Sequence, residues 1–464
     1  MIKRLSHLLV AIAAAVLVVS CIRDAKDYTI RIDVPQRPAG QTDVLGLTAP
    51  AIPDVGIGVV GLGMRGSDAV ERLSFVPGCH VAAVCDLQAD RVEESLGYLS
   101  AKGIQAKGYG GEEESYKRLC EDPSVDLVYV CTDWLHHVPV ALYAMEHGKH
   151  VAVEVPAATS LEDIWKLIDT SERTRLHCMM LENCCYDFFE LGALTMAQSG
   201  LIGEIIHVEG AYLHNLDPFW NEYWNDWRLS FNKDHRGDVY PTHGLGPICQ
   251  ALDIHRGDRM RTLVAMDTRS FNGKMHASTR KTMTGDFLGG DETSTLIRTD
   301  KGKTILVEHD VMTPRPYSRM YQLVGTDGFV GKYPVRQVCL RNEGAGNVDY
   351  ENLQGEKIYS GEALEELMEK YPSPILTPGL VTLAQEVGGH GGMDFIMDYR
   401  LVYCLNNGLP LDMDVYDLAE WCCLGPLGSI SIENGSAPVE VPDFTRGGQD
   451  KIKGFSYAFA ETKK

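Results

Sequence analysis

Six residues, Gly61-Leu62-Gly63-Met64-Arg65-Gly66, constrain this chain more than any other stretch, because they follow an apolar run, Val55 to Val60, and open a helical pattern from Ser67 to Phe75. In a G-x-G-x-x-G turn at a strand-to-helix junction, the first glycine permits the tight turn and the second lets backbone approach a pyrophosphate. The third lets the helix pack on the strand, with the phosphates at the helix N-terminus. A second apolar run, His80 to Cys85, ends at Asp86, twenty residues after Gly66, where a carboxylate accepts hydrogen bonds from an adenosine ribose. A glycine-rich turn that merely capped a helix would not account for Asp86. The sequence therefore predicts dinucleotide binding through Gly61, Gly63, Met64, Arg65, Gly66 and Asp86. A carboxylate at that place repels a 2′-phosphate, so NAD is expected rather than NADP, with Arg65 as a partial counterweight.

The alternation continues. Apolar runs at Val125 to Cys131 and His150 to Val153 are separated by helical stretches at Asp90 to Lys102 and Val138 to Glu146. Short strands that are apolar throughout belong to a parallel sheet covered on both faces. After residue 180 the texture changes: Ile205 to Tyr212, Arg261 to Ser270, Glu292 to Thr299, Thr304 to His309 and Met320 to Gly325 read as strands. No long helix is expected among them until Gly361 to Tyr371 and Gly391 to Leu405. The expected fold class is α/β: a Rossmann dinucleotide-binding domain over 51–180, then an α+β domain over 181–464 with a large, mostly antiparallel open sheet.

Composition narrows the partners. With 64 Asp+Glu against 43 Lys+Arg, the 464-residue chain carries a net charge of -21, which repels polyanions and argues against a nucleic-acid partner. Its 44% hydrophobic and 23% charged residues are those of an ordinary globular protein. At the N-terminus, Lys3 and Arg4 precede Leu8 to Val19, an apolar run too short to span a membrane but of secretory length. Val18-Val19-Ser20-Cys21 resembles a bacterial lipoprotein cleavage box, although Val stands where Leu is usual. The expectation is a signal peptide over 1–20, a lipidated Cys21 and a tether or surface arm over 21–50. The protein would then be exported and anchored by lipid alone to a bacterial membrane, in the periplasm or at the cell surface; a plain signal peptide with an incidental Cys is the alternative. The thirteen cysteines include adjacent pairs and no CxxC, so buried thiols are expected rather than disulfides. No metal site is expected, the neighbouring His136 and His137 notwithstanding.

The fingerprint, Cys131-Thr132-Asp133-Trp134 with His136-His137, and Gly148-Lys149-His150-Val151-Ala152-Val153-Glu154-Val155-Pro156 resemble the Gfo/Idh/MocA oxidoreductases. Those proteins commonly carry Glu-Lys-Pro in the last segment, and this chain has Val155 where their proton-handling lysine stands. Four further blocks resemble glycoside hydrolase family 109: Glu182-Asn183-Cys184-Cys185-Tyr186, Trp227-Arg228-Leu229, Tyr240-Pro241-Thr242-His243-Gly244-Leu245-Gly246-Pro247, and Gly388-Gly389-His390-Gly391-Gly392-Met393-Asp394-Phe395. That resemblance implies an NAD-dependent retaining α-N-acetylgalactosaminidase. It implies transient oxidation at sugar C3, elimination across C1–C2, water addition and re-reduction, with a small-molecule glycan as substrate.

The resemblance also distributes roles. His243 is the first choice for general acid and base, an imidazole suited to that work near neutrality; Tyr240 and Tyr186 are the further catalytic candidates. Trp134, His137, Glu154 and Asn183 would contact the cofactor, and Tyr212, Arg228, Tyr317, Tyr240 and His243 the substrate. His390 either closes the site or ends a loop. Trp220, Trp224 and Trp227 form either a sugar-stacking platform or packing. A homo-oligomer is left open. An NAD-dependent sugar oxidoreductase and a non-catalytic sugar-binding lipoprotein are the competing readings.

Overall fold

The computed structural model describes residues 28–341 and 355–460. The leader and Cys21 lie outside them. A first sheet is built from β1 (Val55–Val60), β2 (Cys79–Asp86), β3 (Lys107–Gly110), β4 (Leu127–Val130), β5 (His150–Val153) and β6 (Cys178–Met180). Its order is β3-β2-β1-β4-β5-β6 and all its pairings are parallel. Every residue of β1, β4 and β5 is buried, which is why these strands read as apolar runs without alternation. Helices α1 (Met64–Leu73), α2 (Ala89–Ala101), α3 (Ser115–Cys120), α4 (Trp134–Glu146) and α5 (Leu161–Thr174) form the crossovers. The strand order reverses between β1 and β4, so the crevice at their carboxyl ends is where this doubly wound arrangement takes a ligand.

The second half begins with a 3-10 turn (Asn183–Tyr186) and α6 (Phe188–Gln198). It then lays down β7 (Ile205–Leu213), α7 (Trp227–Asp234), α8 (Thr242–Ala251), β8 (Met260–Asp267), α9 (Asn272–Ser278), β9 (Glu292–Thr299) and β10 (Thr304–Asp310). Strands β11 (Gln322–Gly325), β12 (Gly328–Gly331), β13 (Gln337–Arg341) and β14 (Glu356–Ser360) follow. Helices α10 (Glu362–Met368), α11 (Pro378–Val387), α12 (Met393–Asn407), α13 (Val415–Cys422) and α14 (Leu424–Glu433) and the short β15 (Val439–Glu440) complete it. Nine strands form one sheet in the order β14-β13-β12-β11-β7-β10-β9-β8-β15, antiparallel except where β7 meets β10. The expected fold class, a Rossmann domain followed by an α+β domain with a mostly antiparallel sheet, is the one found.

One expectation for this half needs correction. No long helix was expected between the strands before residue 361, yet α7, α8 and α9 intervene, α8 running for ten residues. Helix α8 forms although it contains Gly244, Gly246 and Pro247, residues that weaken a helix in isolation. Its glycines serve close packing: a Cβ on Gly244 would lie 2.4 Å from the Ala211 nitrogen of β7, and one on Gly210 would lie 2.1 Å from the Gly244 oxygen. Helix and strand touch backbone to backbone, which only glycine allows.

Residues 28–50 run along the protein surface, fixed at several points. Ile30 bridges Val439, Arg37 forks onto the buried Glu172 at 2.8 and 3.1 Å, and the backbone nitrogen of the buried Val44 donates to the Tyr416 hydroxyl. All twelve cysteines among the described residues are free thiols, and none is fully exposed. Among those residues no helix is long and apolar enough to cross a membrane.

Candidate active site

The glycine loop has the geometry that a pyrophosphate needs. Gly61 sits at φ +90, and a Cβ there would lie 2.6 Å from the Cys131 oxygen; one on Gly66 would lie 1.7 Å from the Gly61 oxygen. These two glycines are demanded by packing. In front of Gly63 only Arg91 Nη1 comes near, at 3.6 Å, so backbone at the start of α1 faces open space that an anion can fill. Asp86 ends β2 with its carboxylate accepting from the Leu62 nitrogen at 2.6 Å and the Gln88 nitrogen at 2.8 Å, fixed beside the loop as a ribose acceptor.

Arg65 does not stand near Asp86 as the counterweight expected from sequence. Its Nε reaches Glu154 Oε1 at 2.8 Å and its Nη1 reaches Asp394 Oδ2 at 3.0 Å, two carboxylates that fix the cation at the other end of the loop. The arginine beside Asp86 is Arg91, 3.8 Å from its Oδ2.

A cavity of about 430 Å³ joins this loop to the second half of the chain. Gly61, Gly63, Met64, Arg65, Asp86, Trp134, His137, Glu154 and Asn183 line it from the first half and the turn after β6; Tyr212, Arg228, Tyr240, His243 and His390 line it from the second. Val155 lines it too, and among the described residues no lysine does. Asn183 Nδ2 donates to Asp394 Oδ1 at 2.5 Å, and Asp394 Oδ2 also receives His390 Nδ1 at 2.8 Å. Burial would push the Asp394 carboxyl up, but His390, Arg65 and Arg72 hold it well below the ordinary carboxylate range. His390 is half exposed at φ +48 within a run of left-handed glycines, so it faces the cavity from the second half and does more than end a loop.

The chemistry concentrates at the start of α8. His243 Nδ1 lies 2.7 Å from Glu182 Oε1, and its Nε2 lies 3.3 Å from the Tyr240 hydroxyl. Glu182 is completely buried. Burial alone would raise its pKa, yet the His243 imidazole and nearby hydrogen bonds bring it below the ordinary value, so it is an anion. A carboxylate at Nδ1 leaves Nε2 to exchange a proton with Tyr240. Burial, with the neighbouring Tyr212, drives the Tyr240 hydroxyl well above its usual pKa, opposed by the Arg228 guanidinium, which stands 4.7 Å over its ring. Arg228 also donates to the Tyr223 hydroxyl at 2.7 Å, and Tyr212 packs 4.7 Å from Tyr240. Glu182, Cys184 and His243 bring ligand-type atoms within 4.8 Å of one another. His243 and Glu182 already share a hydrogen bond, however, and burial keeps the Cys184 thiol protonated, far above its ordinary range.

Several expected residues stand elsewhere. Tyr186 is fully buried, its hydroxyl 3.2 Å from Asp412 Oδ2, and it does not line the cavity; a catalytic role for it is contradicted by its position in the core. His137 lines the cavity, but its Nδ1 and Nε2 lie 2.9 and 3.0 Å from the Pro156 and Thr132 carbonyls, so its one N–H is taken up by a backbone carbonyl. Tyr317 lies outside the cavity lining, at its rim against His214, its hydroxyl accepting from Arg319 at 3.0 Å. The tryptophans separate: Trp220 is core, while Trp224 and Trp227 line the cavity. Sequence reasoning passed over Glu182 as a functional group, Arg91, Asp394, His214 and Phe219. Glu182 and Asp394 lay inside the quoted blocks, but their partners, His243 and Arg65, are 61 and 329 positions away.

Comparison with known proteins agrees with this division. Residues 186–451 match the family described as "Glycosyl hydrolase 109, C-terminal domain", and residues 55–181 match "Oxidoreductase family, NAD-binding Rossmann fold". The chain is 58% identical over 443 residues to glycosyl hydrolase family 109 protein 1 of Bacteroides thetaiotaomicron, covering 94% of each. It is 58% identical to the glycosyl hydrolase family 109 protein of Porphyromonas gingivalis, covering 93% of each. Among solved structures, a levoglucosan dehydrogenase in complex with NADH and levoglucosan superimposes with a TM-score of 0.63 over 84% of this chain and 100% of the other, at 17% identity. The apo scyllo-inositol dehydrogenase of Lactobacillus casei gives 0.59 over 84% and 99%, at 14% identity. At such identities the likeness is one of fold. The two family matches and the near full-length identity to its relatives establish that the chain belongs to glycoside hydrolase family 109.

Proposed function

We propose that this protein is an NAD-dependent glycosidase acting on terminal α-N-acetylgalactosaminides, with retention. The observation that carries the reading is the Tyr240–His243–Glu182 chain opening into the same cavity as the dinucleotide loop. The chemistry a bound NAD⁺ supplies there is reversible hydride exchange at sugar C3, which makes the C2 proton acidic. Gly61 to Gly66 and Asp86 would hold its diphosphate and ribose, and Glu154 and Asn183, which line the cavity, would contact its nicotinamide side. Tyr240 and His243 take up and return the C2 proton, the phenolate stabilised by Arg228 and the imidazolium by Glu182. Tyr212 and Arg228 position the sugar. Because redox nets to zero, the two-carboxylate arrangement of most glycosidases is not required. The absence of lysine along the cavity disfavours the plain dehydrogenase reading.

The test is an aryl-glycoside panel with and without NAD⁺. Release of p-nitrophenol from the α-N-acetylgalactosaminide, without net NADH, is expected. Net NADH from free sugar would indicate a dehydrogenase, and binding without turnover a sugar-binding protein. The leader adds to the proposal an exported protein lipidated at Cys21, to be tested by fatty-acid labelling that Cys21→Ser removes.

A further inference from the structure

We propose that the segment 268–281, led by Phe271 and Met275, rests on an anionic lipid surface. The inference draws on the Cys21 lipidation proposed above, which would bring a bilayer to this end of the protein. The segment stands out against its own chain. In a protein of net charge -21, residues 268–285 hold Arg269, Lys274, Arg280 and Lys281 and no Asp or Glu. Arg280 is committed within the fold, donating to Asn221 Oδ1 at 2.9 Å and Asp226 Oδ1 at 3.2 Å. Arg269, Lys274 and Lys281 are exposed and have no ion pair among the described residues.

Helix α9 sorts its residues by face. Gly273 and Ala277 are buried, and a Cβ on Gly273 would lie 2.7 Å from the Phe287 ring. Phe271, just before the helix, is 70% exposed and Met275 is 52% exposed. With Lys274 they share the outward face, at spacings of three and four residues. Large apolar side chains flanked by unpaired cations suit an interfacial membrane contact: the apolar groups enter the headgroup boundary while the cations meet anionic headgroups. A dissolved polyanion would satisfy the cations but leave Phe271 and Met275 in water.

The chain that leads to Cys21 leaves the fold at the same end. Ile30 bridges Val439 in parallel, and Val439 pairs with Leu263 of β8 in the antiparallel sense. Thr29 and Tyr28 therefore head toward the carboxyl end of β8, which leads into Arg269 and Phe271. There the Phe271 and Asn272 nitrogens donate to Asp291 Oδ2 at 3.0 and 2.7 Å, pinning the start of α9 beside the start of β9. Tyr28 lies seven positions after Cys21, a reach of at most about 25 Å. A lipid on Cys21 would hold the bilayer within that reach, at the sheet end that carries Phe271 and Met275. Because Arg280 ties this loop to Asn221 and Asp226, between which Glu222, Tyr223 and Trp224 line the cavity, docking would set the cavity mouth beside the lipid.

The test is co-sedimentation of the chain from residue 22 onward, which carries no lipid and holds every described residue, with phosphatidylcholine vesicles containing about one-third phosphatidylglycerol. Binding is expected, and about tenfold weaker to phosphatidylcholine alone. Arg269→Glu/Lys274→Glu/Lys281→Glu and, separately, Phe271→Ser/Met275→Ser should each weaken it about tenfold or more, with thermal stability held to show that the fold is intact. Equal binding to both vesicles, no binding to either, or wild-type affinity in both variants would overturn the surface. A dimer in solution that Phe271→Ser/Met275→Ser dissolves would give the face to a second copy, and heparin capture without vesicle binding would give it to a polyanion; either overturns the lipid assignment. Fatty-acid labelling at Cys21 is read separately, so loss of the anchor and loss of the docking surface are distinguishable.

Discussion

Two buried carboxyl groups bond to the segment that carries Tyr240 and His243, and their surroundings drive their ionisation apart. Glu182, behind His243, is held below the ordinary carboxyl value because, against the cost of burial, His243 supplies a partner at 2.7 Å. Asp238 has no such partner: burial pushes it from 3.8 up to about 7, and only the Tyr240 backbone nitrogen, donating to Oδ1 at 2.9 Å, resists. Two acids of equal burial thus become an anion and an acid that titrates near neutrality. Divergent carboxyl groups of this kind separate a group that works on protons from one that shapes the loop. The His243–Glu182 side of this contrast is chemistry and the Asp238 side is scaffolding, and Tyr240 bonds to both, through its hydroxyl to His243 and its nitrogen to Asp238.

The largest expected effect tests the chemical side. His243→Ala removes both the proton acceptor and the partner of Glu182, and should lower kcat by roughly 10³-fold, as loss of a general acid–base group does. Bound NAD, measured after gel filtration, should be retained. Glu182→Gln keeps the shape and removes the charge, and should lose less, roughly 10²-fold. Near-wild-type turnover in His243→Ala would dissolve the distinction between the two sides of this contrast.

A smaller effect tests the scaffolding side. Because Asp238 titrates near 7 in the fold and near 3.8 when unfolded, the folded chain binds the extra proton between those values. Stability from this group is therefore greatest below the unfolded pKa and is lost as the pH rises through 7. The loss amounts to roughly 2 to 3 kcal/mol between about pH 5 and 8. Asp238→Asn keeps an acceptor for the Tyr240 nitrogen and removes the ionisation, so its stability advantage over wild type should grow with pH across that window. Parallel denaturation curves at both ends of the window would show that Asp238 ionises without penalty and would erase the contrast with Glu182.

What could be read in advance divides along a different line. The glycine loop, Asp86 and the parallel strands were legible because each depends on neighbours within a few residues, and strands buried on both faces carry an unbroken apolar signature. The packing of helix α8 was not, since Gly244 and Gly210 answer to a backbone contact across 34 positions that no local pattern announces. Arg65 missed its expected place for the same reason, and Arg91, which was not anticipated, stands beside Asp86 instead. Both lie near the loop in sequence, but the Glu154 and Asp394 carboxylates decide where the Arg65 guanidinium goes. His243 was legible as a residue while its function as a pair with Glu182 was not.

Tyr186 is the sharpest instance of that limit, and it gives the smallest expected effect. A tyrosine two positions beyond Cys184, in a block that also supplies Asn183 to the cavity, invited a catalytic reading. In the fold its hydroxyl meets Asp412, which also accepts Arg400 Nε at 2.8 Å and Nη2 at 2.6 Å. Removing the hydroxyl leaves Asp412 paired with Arg400, so no buried charge is stranded. Tyr186→Phe should therefore cost about 1 kcal/mol, one hydrogen bond to a group that keeps its other partners. Its kcat and its bound NAD should stay within about twofold of wild type, because nothing in this cluster touches the cavity. A loss of kcat approaching that of His243→Ala would mean that the Tyr186–Asp412–Arg400 cluster is coupled to the reacting centre through the turn at Asn183.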